Sequence, residues 1–191
     1  VDILDRDAFE KELNELGSLR AKADAIRTRL AKSINTKYQE NPAYYENFSK
    51  RIKEVLELYK ARTITEAEYL AKMRDILEDY RTGKSAIAYP DRIRANVHAQ
   101  AFYGVLTAIF SNEKLSVEPD FAAEMALDIT TIIEKHSQVD WTHNLTIHDR
   151  ISQDIDDLFY RYQKEMGLVL SFDVIDMIIE NVKTVALRRF A

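Results

Sequence analysis

Cysteine is absent from the 191 residues, and turn formers are scarce, with four glycines and three prolines. The missing cysteine removes disulfides and cysteine-based structural zinc sites, and it fits a reducing compartment. So little glycine and proline cannot supply the turns of a β-rich fold, which leaves long helices. No apolar run approaches the roughly eighteen residues of a membrane span, so no membrane partner is expected. The opening Val1-Asp2-Ile3-Leu4-Asp5-Arg6-Asp7 is acidic and has no hydrophobic segment, so no signal peptide is read there. A chain opening on Val1 instead of Met is expected of a piece of a longer protein, and the expected location is cytoplasmic. A net charge of −5 argues against a surface that coats nucleic acid everywhere, while leaving room for a local basic patch.

What the chain has is helical periodicity from end to end. Phe9, Leu13, Leu16, Leu19, Ala23, Ile26, Leu30 and Ile34 recur at steps of three or four, which predicts one long amphipathic helix over Asp5–Lys37, with Gly17 as its weak point. Asn41 and Pro42 read as the N-cap and first residue of a second helix, with Tyr45, Phe48, Ile52, Val55, Leu56 and Tyr59 on one face. Thr65 and Glu68 form a capping box for a third, which buries Tyr69, Met73, Ile76, Leu77 and Tyr80 and ends at Gly83. The connector Lys84–Tyr89 is the best candidate for a subdomain hinge in an otherwise single helical domain.

Pro90 restarts a helix that is apolar almost all round from Val97 to Phe110, the mark of a central, buried element. Three more follow: one through Met125, Ile129, Ile132 and Ile133 to His136, one from Ile147 through Tyr162 to Gly167, and one capped by Ser171. The sum is an all-α chain, an irregular bundle of about seven helices, with no strand alternation and no internal repeat.

No complete catalytic motif is present. Gly83-Lys84-Ser85 ends like a phosphate-binding loop, but the required upstream glycine falls at Glu78, inside a helix. A helix C-terminus offers carbonyls where a phosphate needs amides. Glu-x-Lys and Asp-x-Lys triplets, which a common metal-dependent nuclease requires, do not occur. His136, His143 and His148 lack ligand spacing, and no Glu-x-x-His exists to build a carboxylate-bridged dimetal site. Asp154, Asp156 and Asp157, and likewise Asp173, Asp176 and Glu180, read as solvated faces. A small helical hydrolase using such acids with a metal is the least favoured reading.

One basic segment stands out. Between Ser18 and Lys37 only Asp24 opposes Arg20, Lys22, Arg27, Arg29, Lys32 and Lys37. Arg20, Arg27, Arg29, Lys32 and Lys37 are the candidate phosphate contacts of a helical nucleic-acid-binding module. The competing reading is that these side chains lie over the helix edges and meet acidic neighbours, and their split between two flanks of the apolar stripe favours it.

Ala21-Lys22-Ala23-Asp24-Ala25-Ile26 with its basic continuation, Asn41 to Leu70, and His136-Ser137-Gln138-Val139-Asp140-Trp141 through Asp149-Arg150-Ile151 to Asp157-Leu158 occur in order along the chain. In these stretches the sequence resembles the C-terminal helical domain of the R subunit, the motor and nuclease subunit of type I restriction enzymes. The resemblance implies a domain without catalytic or cofactor-binding residues of its own, ATP and magnesium acting elsewhere in the subunit. It implies docking onto a core of methyltransferase and specificity subunits, with contact to double-stranded DNA as a secondary expectation. Trp141 is the candidate interface residue, because it lies in an irregular link and tryptophan is enriched where interfaces concentrate their energy. The alternative for Trp141 is an ordinary core plug between two helix ends.

Overall fold

A computed structural model describes the whole chain, residues 1–191, as eight α-helices with no strand. In order they are α1 (Arg6–Asn14), α2 (Leu19–Lys37), α3 (Pro42–Lys60), α4 (Glu66–Thr82), α5 (Val97–Asn112), α6 (Pro119–His136), α7 (Leu145–Met166) and α8 (Phe172–Arg189). None is long and apolar enough to cross a membrane. The chain divides into two compact units, one comprising Val1–Tyr38 and Tyr44–Ile87, the other Gln39–Ala43 and Ala88–Ala191.

The first unit corrects the expectation of a single helix over Asp5–Lys37. That stretch is α1 and α2, separated at Glu15–Ser18. Ser18 is extended (φ −137°, ψ 155°), and its hydroxyl accepts from the Ala21 amide at 3.0 Å, so it opens α2 as an N-cap. Asp5 does the same for α1, accepting from Ala8 at 3.1 Å. The break reverses the chain. The Arg29 guanidinium bonds Glu12, 17 residues back, whereas in one straight helix that separation would be about 25 Å. Leu19, placed on the inner stripe by spacing, is exposed because it is the first residue after the turn.

The core of this unit is built by α2 and α4, with Phe9 and Leu13 of α1 and Phe48 and Ile52 of α3 closing over it. The capping box of α4 is formed in both directions: Thr65 accepts from the Glu68 amide at 3.1 Å, and Glu68 accepts from the Thr65 amide at 3.2 Å. Gly83, at φ 74°, ends α4 in the left-handed conformation that glycine tolerates best. Two ion pairs tie α1 to α4, Arg6–Glu78 at 2.6 Å and Arg74–Glu10 at 3.0 Å. The Arg74 hydrogen bond is the main reason that the Glu10 carboxyl lies below its usual range.

In the second unit α5 lies between α6 and α8, and α7 packs on both of these. Ala99, Phe102, Leu106 and Phe110 of α5 are buried, as the all-round apolar pattern requires. Inward positions on the other helices include Met125, Ile129 and Ile133 of α6, Ile151, Ile155 and Phe159 of α7, and Ile178 and Val182 of α8. The C-terminus is fastened to α5. Arg189 donates from Nε to His98 Nδ1 at 3.0 Å and from Nη1 to the Glu40 carbonyl at 2.8 Å. Burial, and then the Arg189 charge, push His98 below its ordinary value, which keeps the ring neutral as an acceptor. Phe190 packs against His98 with ring centroids 4.3 Å apart.

Candidate functional site

The five cations singled out from sequence do not form one patch. Arg20 and Arg27 share Asp24, at 3.6 and 3.7 Å. Arg27 also donates from Nε to the Tyr69 hydroxyl at 3.3 Å, and that hydroxyl donates to Asp24 at 2.8 Å. Burial, reinforced by the bond to Asp24, raises the Tyr69 phenol, so it stays a neutral donor at ordinary pH. Arg29 is held by Glu12 and by the Val1 carbonyl at 2.6 Å. Lys32 and Lys37 make no ion pair, and with Arg29, Ser33 and Thr36 they line a groove of about 340 Å³ beside Val1–Leu4. The steps 29, 32, 33 and 36 are one helix stripe, which is why α2 presents them together.

A second groove of about 390 Å³ contains Arg20 and two cations that spacing along α2 could not reveal, Lys60 and Arg62. Lys60 is the last residue of α3 and Arg62 lies two beyond it. Tyr59, Ile64, Thr65 and Glu66 complete the lining.

Trp141 is 3% exposed, and its indole N–H donates to the Phe190 carbonyl at 2.8 Å. The imidazole of His148 meets the indole edge-on and bonds the Trp141 carbonyl at 3.1 Å. That geometry is the gap-filling alternative, in which the indole closes the space beside the C-terminal turn. His136 bonds Asp154 at 2.6 Å, while His143 sits in an exposed turn, so the three histidines serve separate places. No cluster of three or more His, Asp or Glu is gathered around a point where a metal ion would sit. Gly83-Lys84-Ser85 lies at the carbonyl end of α4.

An apolar group that periodicity did not flag projects from the α7–α8 turn. Met166, Val169 and Phe172 are 54%, 84% and 85% exposed. The turn is fastened from beneath: Leu170 is buried, and Gln163 donates to its carbonyl at 2.9 Å. Leu168 and Leu170 turn inward to the core, while Met166, Val169 and Phe172 project outward.

Fold and surface together define a helical domain with two cationic grooves on one unit and an exposed apolar tip on the other. The family model for the C-terminal region of type I restriction enzyme HindI endonuclease subunit-like proteins matches residues 1–186. The chain belongs to that family. No curated protein and no solved structure gives a significant match.

Proposed function

We propose that this chain is an assembly domain. It docks the endonuclease subunit of a type I restriction enzyme onto the methyltransferase and specificity subunits, and it performs no chemistry itself. The observation that carries this reading is the apolar tip of the α7–α8 turn. Three large apolar side chains held outward on a fastened turn lose hydration surface only when another protein covers them. Because the turn is fixed beforehand, little ordering entropy opposes that contact.

Two measurements test the proposal. A subunit lacking residues 1–191 should fail to join the methyltransferase core; full-strength assembly by that deletion would defeat the reading. Val169→Ser with Phe172→Ser removes only exposed atoms. It should leave melting within about 2 °C of wild type and weaken assembly at least ~10-fold, an interface hot-spot effect.

A second reading, which the grooves of the first unit favour, is contact with double-stranded DNA alongside docking. Arg20, Arg27, Arg29, Lys32 and Lys37 enter it unequally. Lys32 and Lys37 have no acidic partner to surrender, and the Arg20–Asp24 pair is exposed and weak. Affinity of the chain for a duplex of arbitrary sequence should fall steeply with salt. Binding that is absent at low salt would remove this reading and leave docking untouched.

A further inference from the structure

We propose that the groove formed by Arg20, Lys60 and Arg62 is a phosphate-backbone site for double-stranded DNA. The proposal rests on the second reading above and narrows it to three residues, two of which lie outside the basic run of α2.

The decisive residue is Arg62. It adopts φ 59°, the left-handed conformation that L side chains rarely take. The backbone around it closes α3 in the standard way: the Arg62 amide bonds the Tyr59 carbonyl at 3.0 Å, and the Thr63 amide bonds the Leu58 carbonyl at 2.9 Å. Glycine is the residue that fits such a position without strain. Arginine there is strained, and its side chain returns no internal bond, since it forms neither an ion pair nor a hydrogen bond within the chain. The same is true of Lys60. Lys114 closes α5 in the same way, so the backbone alone does not mark a site; what sets Arg62 apart is that its unpaired guanidinium faces a groove together with Arg20 and Lys60.

The groove determines the partner's chemistry. Three cations face it against one carboxylate, Glu66. The Arg20–Asp24 pair, at 3.6 Å and largely exposed, is loose enough to exchange for a phosphate. Helix α2 begins beside the groove at Leu19 with no acidic residue in its first turn, so its N-terminus adds positive potential. Donors of this kind, with no base-reading depth, suit phosphodiester oxygens and carry no sequence information.

The test uses the full chain, a 20-base-pair duplex of arbitrary sequence and a salt titration. Arg20→Gln, Lys60→Gln and Arg62→Gln combined should lower the slope of log affinity against log salt by about 2–3 units, at roughly 0.9 per lost contact. Arg62→Gly is the sharper variant: it relieves the backbone and deletes the guanidinium. It should melt at or above the wild-type temperature and still lose about one unit of slope. Lys114 ends α5 with the same geometry, φ 55°, and provides the control. Lys114→Gly should leave the slope unchanged.

Wild-type slope in both the triple variant and Arg62→Gly would overturn the site while DNA contact stands. An equal loss in Lys114→Gly would overturn it as well, since net charge alone would then explain the effect. Absence of duplex binding by the wild-type chain would instead refute the second reading from which the site is drawn.

Discussion

Trp141→Ala should be among the most destabilising single substitutions in this protein, costing about 3–5 kcal/mol, the range for truncating a buried aromatic side chain. For a chain of this length each kcal/mol moves the melting temperature by about 2–4 °C, so a fall on the order of 10 °C is expected. The indole is almost wholly enclosed, and its N–H is the donor that fixes the Phe190 carbonyl at 2.8 Å. Its removal opens a cavity beside a C-terminal turn that Arg189 and Phe190 otherwise hold against α5. Trp141→Phe separates the two contributions. It keeps most of the packing and loses the hydrogen bond, so about 1 kcal/mol should go. Differential scanning calorimetry of the pair checks both values. A Trp141→Ala protein that melts normally yet assembles poorly would place the indole in an interface and contradict its enclosure.

Helix count and positions were largely legible because burial leaves a period of 3.6 in the sequence and caps mark the ends. Thr65 with Glu68, Gly83, Gly167 and Ser171 each sit where they terminate or open a helix. The division of the first helix at Glu15–Ser18 was not legible from periodicity, because Leu13, Leu16 and Leu19 keep helical spacing across the turn. Ser18 was the available signal: a capping residue directly after a glycine in the middle of a periodic run.

The surface was harder to read, for a physical reason. Periodicity reports which face is inward and says nothing about what distant segments bring to the outward one. Arg20 and Arg62 are far apart in sequence and meet only because α2, α3 and α4 share a core. Similarly, Asp24 looked like one carboxylate opposing a run of cations. Glu12 proves to hold Arg29, because α1 doubles back along α2. Trp141 looked available because its link is irregular, yet a turn can bury its central side chain. The exposed Phe172 lies one residue beyond the Ser171 cap, where an apolar residue is ordinarily read as part of the coming inward stripe.

Gly104 is the other position where substitution should cost most, and its environment is set by another helix. A Cβ built on Gly104 of α5 would lie 2.7 Å from the Cβ of Ala43 and 3.7 Å from the Asn41 side-chain oxygen. Carbon atoms in van der Waals contact sit about 3.5–4.0 Å apart, so Gly104→Ala must displace Ala43 or bend α5. Intrinsic helix propensity favours alanine by about 1 kcal/mol, while overpacking of this kind costs about 1–3 kcal/mol. The steric cost matches or exceeds the propensity gain, and a net loss of up to about 2 kcal/mol is expected. Gly104→Leu, which no small displacement accommodates, should reach or exceed about 3 kcal/mol. Gly17 provides the contrast, since a Cβ there would meet nothing within 4 Å. Gly17→Ala should be neutral or stabilising by up to about 1 kcal/mol through the unfolded chain. Urea unfolding of the three variants gives the order Gly17→Ala, Gly104→Ala, Gly104→Leu, from most to least stable. A Gly104→Ala protein more stable than wild type would mean that Ala43 yields freely and that the close approach of these two backbones is not a constraint on the fold.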